Sequence, residues 1–207
     1  MSPHIGHGER GEAAVPGRAS CACAGETHTP GAPMRLPLVW GDLAIDRLYP
    51  ADRDVFLRAV AESGELLAPW VEAPSTAEAF ADHLRRYERP SRLPLIVRHR
   101  ASGELVGAVN IRKIVPTVDD CGTLSYYAFR RGAGRGLMRS AVGAVITALF
   151  AHAVVRRLRA DIDPANERSI RLAEALGFEH RHETHTLGSD GVWLPHGVWG
   201  LAAAHER

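Results

Sequence analysis

The sequence predicts an α+β fold (an α/β mixed sheet), on three observations. Stretches of period-two alternation are interleaved with stretches of helical period, in the order strand, two helices, three strands, helix, strand, helix, two strands. Two glycine-bearing turns, Ala101-Ser102-Gly103 and Ser189-Asp190-Gly191, are hairpin signals and require antiparallel neighbours. Apolar residues fill 45% of the 207 positions and charged residues 24%, the balance of one well-buried domain with an appendage.

The appendage is residues 1–35, a Gly/Pro-rich tail in which Ile5 and Val15 are the only large aliphatics apart from methionines. So little apolar surface does not offset the entropy of ordering the chain. Met34, just ahead of the first strand-like segment, is a candidate native start. Within the tail, Cys21-x-Cys23 with His28 nearby departs from the common zinc spacings, so no metal is expected there.

Leu38 to Leu48 reads as the first strand, and Ala51 to Ser63, with Val55, Phe56, Ala59 and Val60 at helical spacing, as the first helix. Ser75-Thr76-Ala77-Glu78 has the form of a capping box and opens a second helix toward Tyr87. Leu93 to Arg100 and Glu104 to Arg112 flank the first hairpin turn, and Gly122 to Phe129 is a further strand. A long helix follows from about Gly134 to His152, placing Leu137, Ala141, Val145 and Leu149 on one face. Arg157 to Asp163 alternates Leu158, Ala160 and Ile162 against charge. Asp163-Pro164 then opens a helix through Leu176, closed by Gly177, before the final hairpin.

A formal charge of +1 argues against a nucleic-acid-binding role, and Lys113 is the only lysine. Three cysteines make no disulfide framework, and no secretory leader is recognisable. The longest apolar stretch, Leu137 to Val155, contains Arg139 and His152 and reads as a buried helix, not a membrane span. A cytoplasmic monomer or homodimer is expected, with neither membrane nor nucleic acid as a partner.

The segment richest in chemistry is Arg131-Gly132-Ala133-Gly134-Arg135-Gly136-Leu137-Met138, between a strand and the long helix. Bare backbone N–H groups at a helix start, joined by the helix dipole, attract an anion such as a pyrophosphate; a tight turn without a ligand is the alternative. The glycines recur at spacing two, which is not a Rossmann fingerprint, and no Gly-Lys-Ser/Thr follows to make a P-loop. A second block, Asp163-Pro164-Ala165-Asn166-Glu167-Arg168-Ser169, runs on to Leu176-Gly177-Phe178.

Taken in order, the two blocks resemble the signatures of the GNAT superfamily of acetyl-CoA-dependent N-acetyltransferases. The first matches the pyrophosphate loop through Arg131, Gly134 and Gly136; the second matches an Asn-x-x-Ser pair opening a helix that ends in Leu-Gly-Phe. The likeness covers roughly residues 36 to 204 and is nearest to the ribosomal-protein alanine N-acetyltransferases, through Gly136-Leu137-Met138, the Asn166 to Phe178 block and Asp190-Gly191-x-Trp193. It implies one domain over 36–207. Its sheet would be twisted, mostly antiparallel and splayed at the cofactor site, with helices on both faces.

The resemblance also implies direct transfer from acetyl-CoA to an amine in a ternary complex, without a metal. Arg131, Gly132, Ala133, Gly134, Arg135, Gly136 and Leu137 would hold the pyrophosphate. The strand Ser125-Tyr126-Tyr127-Ala128-Phe129 would pair with the pantetheine arm and offer an amide to the thioester oxygen. Asn166 would hydrogen-bond that arm and Ser169 would protonate the departing thiolate or only hydrogen-bond its sulfur; helix capping is the alternative role for both. Tyr126 and Tyr127 face opposite sides of their strand, one packing in the core and one lining the acceptor cleft; Tyr127 is the catalytic candidate beside Ser169.

No base stands out: Asp119, Asp120, Glu104 and Glu72 are candidates, each of which reads more readily as a solvated loop charge. Cys121 reads as a structural thiol rather than an acyl carrier. His180 and His182 share a face by alternation, without the partners of a metal site. The chain departs from the resembled pattern at Ser140, where many relatives carry glutamate, and at Leu194-Pro195-His196, where an aspartate is usual near Pro195. The acceptor is therefore open between a protein N-terminus and a small-molecule amine, and a non-catalytic acyl-CoA-binding module is the alternative of another class.

Overall fold

The computed structural model describes residues 34–68, 70–112, 120–187 and 193–204. The expectations for residues 1–33, including Cys21, Cys23 and His28, and those for Asp119 and the Ser189-Asp190-Gly191 tip, lie outside the described residues.

Among the described residues, eight strands form one sheet: β1 (Leu38–Trp40), β2 (Leu43–Arg47), β3 (Leu93–His99), β4 (Leu105–Arg112), β5 (Cys121–Ala128), β6 (Arg157–Ile162), β7 (Glu179–Leu187) and β8 (Trp193–Ala202). Their spatial order is β1-β2-β3-β4-β5-β6-β8-β7. The helices are α1 (Arg53–Glu62), α2 (Gly64–Leu67), α3 (Ala77–Arg86), α4 (Leu137–Ala151) and α5 (Glu167–Ala175).

Every neighbouring strand pair is antiparallel except β5 and β6. A parallel pair needs a crossover, and α4 supplies it. The parallel pairing lasts only from Cys121 to Thr123 against Arg157 to Arg159. Beyond it β5 stays on β4 as far as Ala128, while β6 stays on β8 as far as Ile162. The two strands therefore diverge into a V.

Helices cover both faces. On one, Val142, Val145 and Leu149 of α4 pack on Val109, Ile111 and Leu158, joined at the margin by Ile170 and Leu176 from the α5 region. On the other, Phe56 of α1 and Phe80 of α3 meet Ile96, Ala108 and Phe129, with ring centroids 5.2 Å (Phe56–Phe80) and 5.6 Å (Phe56–Phe129) apart. β4 is thus buried on both sides, which is why its first seven residues form a near-continuous apolar run.

Five local expectations are corrected. The first strand is two, because Gly41 at φ +55° turns the chain between β1 and β2. The first helix begins as a single 3-10 turn at Pro50–Asp52 and is followed by the separate short α2. The cap of α3 is Thr76, whose hydroxyl accepts from the Ala79 amide, one residue later than the Ser75 box implied. The α4 helix starts at Leu137, since Gly134 and Gly136 both take φ +72° and cannot be helical. The α5 helix starts at Glu167 with Asn166 as its cap, while Asp163 makes a turn by accepting from the Ala165 amide at 2.8 Å.

Candidate active site

The V between β5 and β6 opens into a cleft of about 1350 Å³. Its walls come from Tyr126 to Ala128 on β5, the loop from Gly132 to Gly136, the first turns of α4 and α5, and, opposite, Leu66, Leu67 and Trp70.

The loop holds itself up with part of its own backbone. The Gly132 and Ala133 amides both donate to the Phe129 carbonyl, at 2.9 and 3.0 Å. The first α4 bond runs from Ser140 N to Gly136 O, and Gly136 makes no side-chain cap. Among the described residues no acceptor meets the amides of Gly134, Arg135 and Gly136, and those of Leu137, Met138 and Arg139 are the unpaired first turn of a helix. Six successive N–H groups with the positive end of a 15-residue helix behind them form a cradle for an anion.

The three glycines do not share one task. A Cβ on Gly132 would stand 2.7 Å from Val106 Cα, so this glycine lets the loop lie flat on β4. Cβ atoms on Gly134 and Gly136 would meet nothing within 4 Å, so there the need is the left-handed φ and the open space in front of the amides.

The side chain of Arg131 does not face the cleft. Its Nε donates to Glu62 at 3.1 Å and its terminal nitrogen to Glu104 at 2.6 Å. Next to it, the Arg130 amide donates at 2.9 Å to the hydroxyl of fully buried Ser63, which itself donates to the Ala59 carbonyl at 2.5 Å. Arg130 Nε reaches the Glu62 carbonyl at 2.6 Å. The loop is thereby bolted to the α1–α2 corner. Leu137 is half-buried against the α4 core, and the Arg135 guanidinium bonds the Arg131 carbonyl at 3.2 Å.

Phe129 is buried in the second core, its amide donating to Val106 O and its carbonyl accepting from the loop. By strand alternation the preceding amide, that of Ala128, points the other way, and Ala128 lines the cleft. Tyr127 is half-buried on the α1/α3 face, edge-on to Phe129 at 5.7 Å, and burial raises its phenol pKa well above the usual value. It stays protonated and neutral. Asn166 Oδ1 accepts from the Ser169 amide at 3.1 Å, a helix cap that also leaves Asn166 on the cleft wall. Ser169 Oγ lies 3.2 Å from Tyr126 Oη.

A family model described as an acetyltransferase (GNAT) domain matches residues 42–179, more than half of the chain. The chain belongs to the GNAT family of acetyltransferases. A probable N-acetyltransferase of Bacillus subtilis (strain 168), YjcK, is 24% identical over 123 residues, covering 59% of this chain and 68% of the relative. Two solved structures share the fold. The ribosomal-protein-S5-alanine acetyltransferase of Vibrio fischeri has a TM-score of 0.72 at 19% identity, covering 84% of this chain and all of that one. RimJ of Mycobacterium smegmatis, in complex with CoA-disulfide, has a TM-score of 0.70 at 19% identity, covering 79% of this chain and 83% of that one. The protein is an acetyl-CoA-dependent N-acetyltransferase of the GNAT type.

The other described candidates of this GNAT domain, Glu72 among them, do not line the cleft. Glu104 sits at the β3–β4 turn, held below the usual carboxylate range by its hydrogen bond from Arg131. Asp120 pairs with Arg156 at 3.3 Å, and Cys121 lies at the paired end of the V, its thiol 3.8 Å from the Gly122 carbonyl. Among the described residues, the carboxylates that do line the cleft are Glu65 and Glu167, paired with Arg130 at 3.2 Å and Arg171 at 3.0 Å. Ser140 is exposed on α4 and does not line the cleft. His180 and His182 do not share a face: a bulge between them sets His180 opposite Trp199 and His182 opposite Val198.

Among the described residues no His, Cys, Asp or Glu cluster could hold a metal ion, and no helix is long and apolar enough to cross a membrane. Sequence reasoning missed three participants: Ser63, the wall of Leu66, Leu67 and Trp70, and the bond between Tyr126 and Ser169. Ser63 alone left a signal, a small hydroxyl at the junction of two helical segments.

Proposed function

We propose that this protein moves acetyl directly from acetyl-CoA to a protein N-terminal α-amine. The single observation behind the reading is the run of six unpaired amides from Gly134 to Arg139 at the mouth of the V, which suits a pyrophosphate of double negative charge. Acetyl-CoA supplies an activated thioester. The chain's residues do the rest.

The edge of β5 from Leu124 to Ala128, released by β6, lies alongside the pantetheine arm. The Ala128 amide meets the thioester oxygen, where negative charge develops as the amine attacks. Asn166 holds the arm from the facing wall, and the Ser169 hydroxyl meets the sulfur. Tyr127, a protonated phenol on the opposite side, orients the incoming amine by accepting a hydrogen bond from it.

The cleft favours an α-amine over a lysine side chain. Among the described residues, the carboxylates on its wall, Glu65 and Glu167, are each engaged by an arginine. An α-amine with a pKa near 8 is neutral often enough to attack unaided, whereas a lysine near 10.4 is not. The fold shared with an S5-alanine acetyltransferase points the same way.

Incubation with acetyl-CoA and a set of peptides with free N-termini, followed by mass spectrometry, tests the proposal. A single added acetyl on the peptide α-amine is expected. Product only from polyamines or aminoglycosides would move the acceptor to small molecules. Firm CoA binding without transfer to any amine would mark a binding module instead.

A further inference from the structure

Across the V from the anion cradle, Tyr126 of β5 is hydrogen-bonded to Ser169 of α5. Tyr126 Oη donates to the Ser169 carbonyl at 3.0 Å, and Ser169 Oγ donates to Tyr126 Oη at 3.2 Å. With the Ser169 amide held by Asn166 at 3.1 Å, this residue is gripped at its nitrogen, its carbonyl and its hydroxyl. A lone serine hydroxyl rotates freely and aims at nothing in particular. Here the rotor has a fixed neighbour at 3.2 Å, a long contact that leaves the hydroxyl able to turn to another acceptor. Both side chains line the cleft.

We propose that Tyr126 is a positioning residue for Ser169, turning the Ser169 hydroxyl proton toward the sulfur of the departing thiolate. The inference rests on the acetyl-transfer reading above. As the amine nitrogen bonds to the acetyl carbon, the carbon–sulfur bond breaks and its electron pair leaves on sulfur. The surplus proton on nitrogen passes to solvent. Ser169 keeps its own proton and shares it with sulfur as a hydrogen bond, while the Tyr126 O–H swings from the carbonyl to Ser169 Oγ. A hydroxyl that accepts from one partner donates more strongly to the next. Burial pushes the Tyr126 phenol up to about 12, opposed by its bond to Ser169, so the phenol remains a neutral donor through the working pH range.

The test joins a binding measurement to a kinetic cycle. In the complex with CoA, thiol ionisation is followed by the ultraviolet absorbance of the thiolate across pH. The bound thiol should ionise about one unit lower in the wild type than in Tyr126→Phe, a tenfold difference equal to about 1.4 kcal/mol. Ser169→Ala, which keeps the phenol–carbonyl bond, should raise the thiol to the same value, so the measurement stands even should Tyr126→Phe fold poorly. In turnover, Tyr126→Phe should lower kcat about tenfold with KM for acetyl-CoA within about twofold. Added to Ser169→Ala it should cost less than about twofold more.

Identical thiol ionisation in wild type and both variants would overturn the inference. So would an equal loss of kcat in both backgrounds, which would make Tyr126 only an anchor for α5. A wild type that neither binds CoA nor acetylates any amine would bring down the acetyl-transfer reading itself, and this inference with it.

Discussion

Replacing Gly134 by asparagine separates the anion cradle from the fold that carries it. Gly134 has φ +72°, and a Cβ there meets nothing within 4 Å, so the new side chain finds room. A left-handed residue costs about 1–2 kcal/mol, and asparagine sits at the tolerant end of that range. In a domain of this size the loss corresponds to a Tm lower by roughly 2–4 °C for each kcal/mol. Affinity should suffer more. The side chain stands before three consecutive free amides, and one hydrogen bond to a charged acceptor is worth about 1.5–3 kcal/mol. Partial retreat of the side chain leaves an expected tenfold rise in the Kd for CoA, about 1.4 kcal/mol, by isothermal titration calorimetry. Gly41→Asn is the control, because Gly41 has φ +55° and equally open space but lies at the β1–β2 turn. It should share the small Tm loss and leave Kd unchanged. A folded Gly134→Asn protein that binds CoA within about twofold of the wild type would refute the assignment of the loop.

Two further outcomes are expected. Gly132→Ala should cost about 3 kcal/mol or more of stability by urea denaturation, since the new Cβ meets Val106 backbone that has nowhere to go; a midpoint near that of the wild type would contradict the packing role. Burial, then the nearby Arg86 charge, lowers His83 from 6.5 to about 4. Above pH 6.5 the ring is neutral folded or unfolded. As the pH falls through 6.5 toward 4 the unfolded chain takes up a proton that the folded ring refuses, so stability is lost across that window. The shift of about 2.5 units sets a ceiling near 3 kcal/mol, and the half-exposed ring reduces it to about 1–2 kcal/mol. His83→Gln should flatten the stability curve between pH 4 and 6.5, and parallel curves would rule the mechanism out.

What the sequence revealed and what it concealed divide along physical lines. The hairpin at Ala101-Ser102-Gly103 and the block from Asn166 to Gly177 were legible because their backbone conformations depend on their own residues. The splay of β5 from β6 was legible only by resemblance, since nothing in Leu124 to Ala128 says which neighbour it lacks. Ser75 and Thr76 are both competent caps, and only the incoming chain direction decides for Thr76. A one-residue bulge erased the shared face of His180 and His182, and alternation cannot anticipate an inserted residue. The three glycines look alike in sequence, yet Gly132 answers to β4 and Gly134 to open space. Tyr126 meets Ser169 across 43 positions of chain, a separation at which only tertiary packing brings two residues together.

The bolted corner at Ser63 has a consequence for how such an enzyme can be retailored. Because Arg130 and Arg131 tie the loop proposed to hold the diphosphate to Glu62, Ser63 and Glu65, the proposed seat of one substrate is built into the same bracket as the proposed wall for the other. Widening the bracket to admit a bulkier acceptor would loosen the hold on the donor. New specificities are therefore cheapest to reach from Leu66 onward, where among the described residues no side-chain bond crosses to the loop, and hardest to reach from Glu62, Ser63 and Glu65.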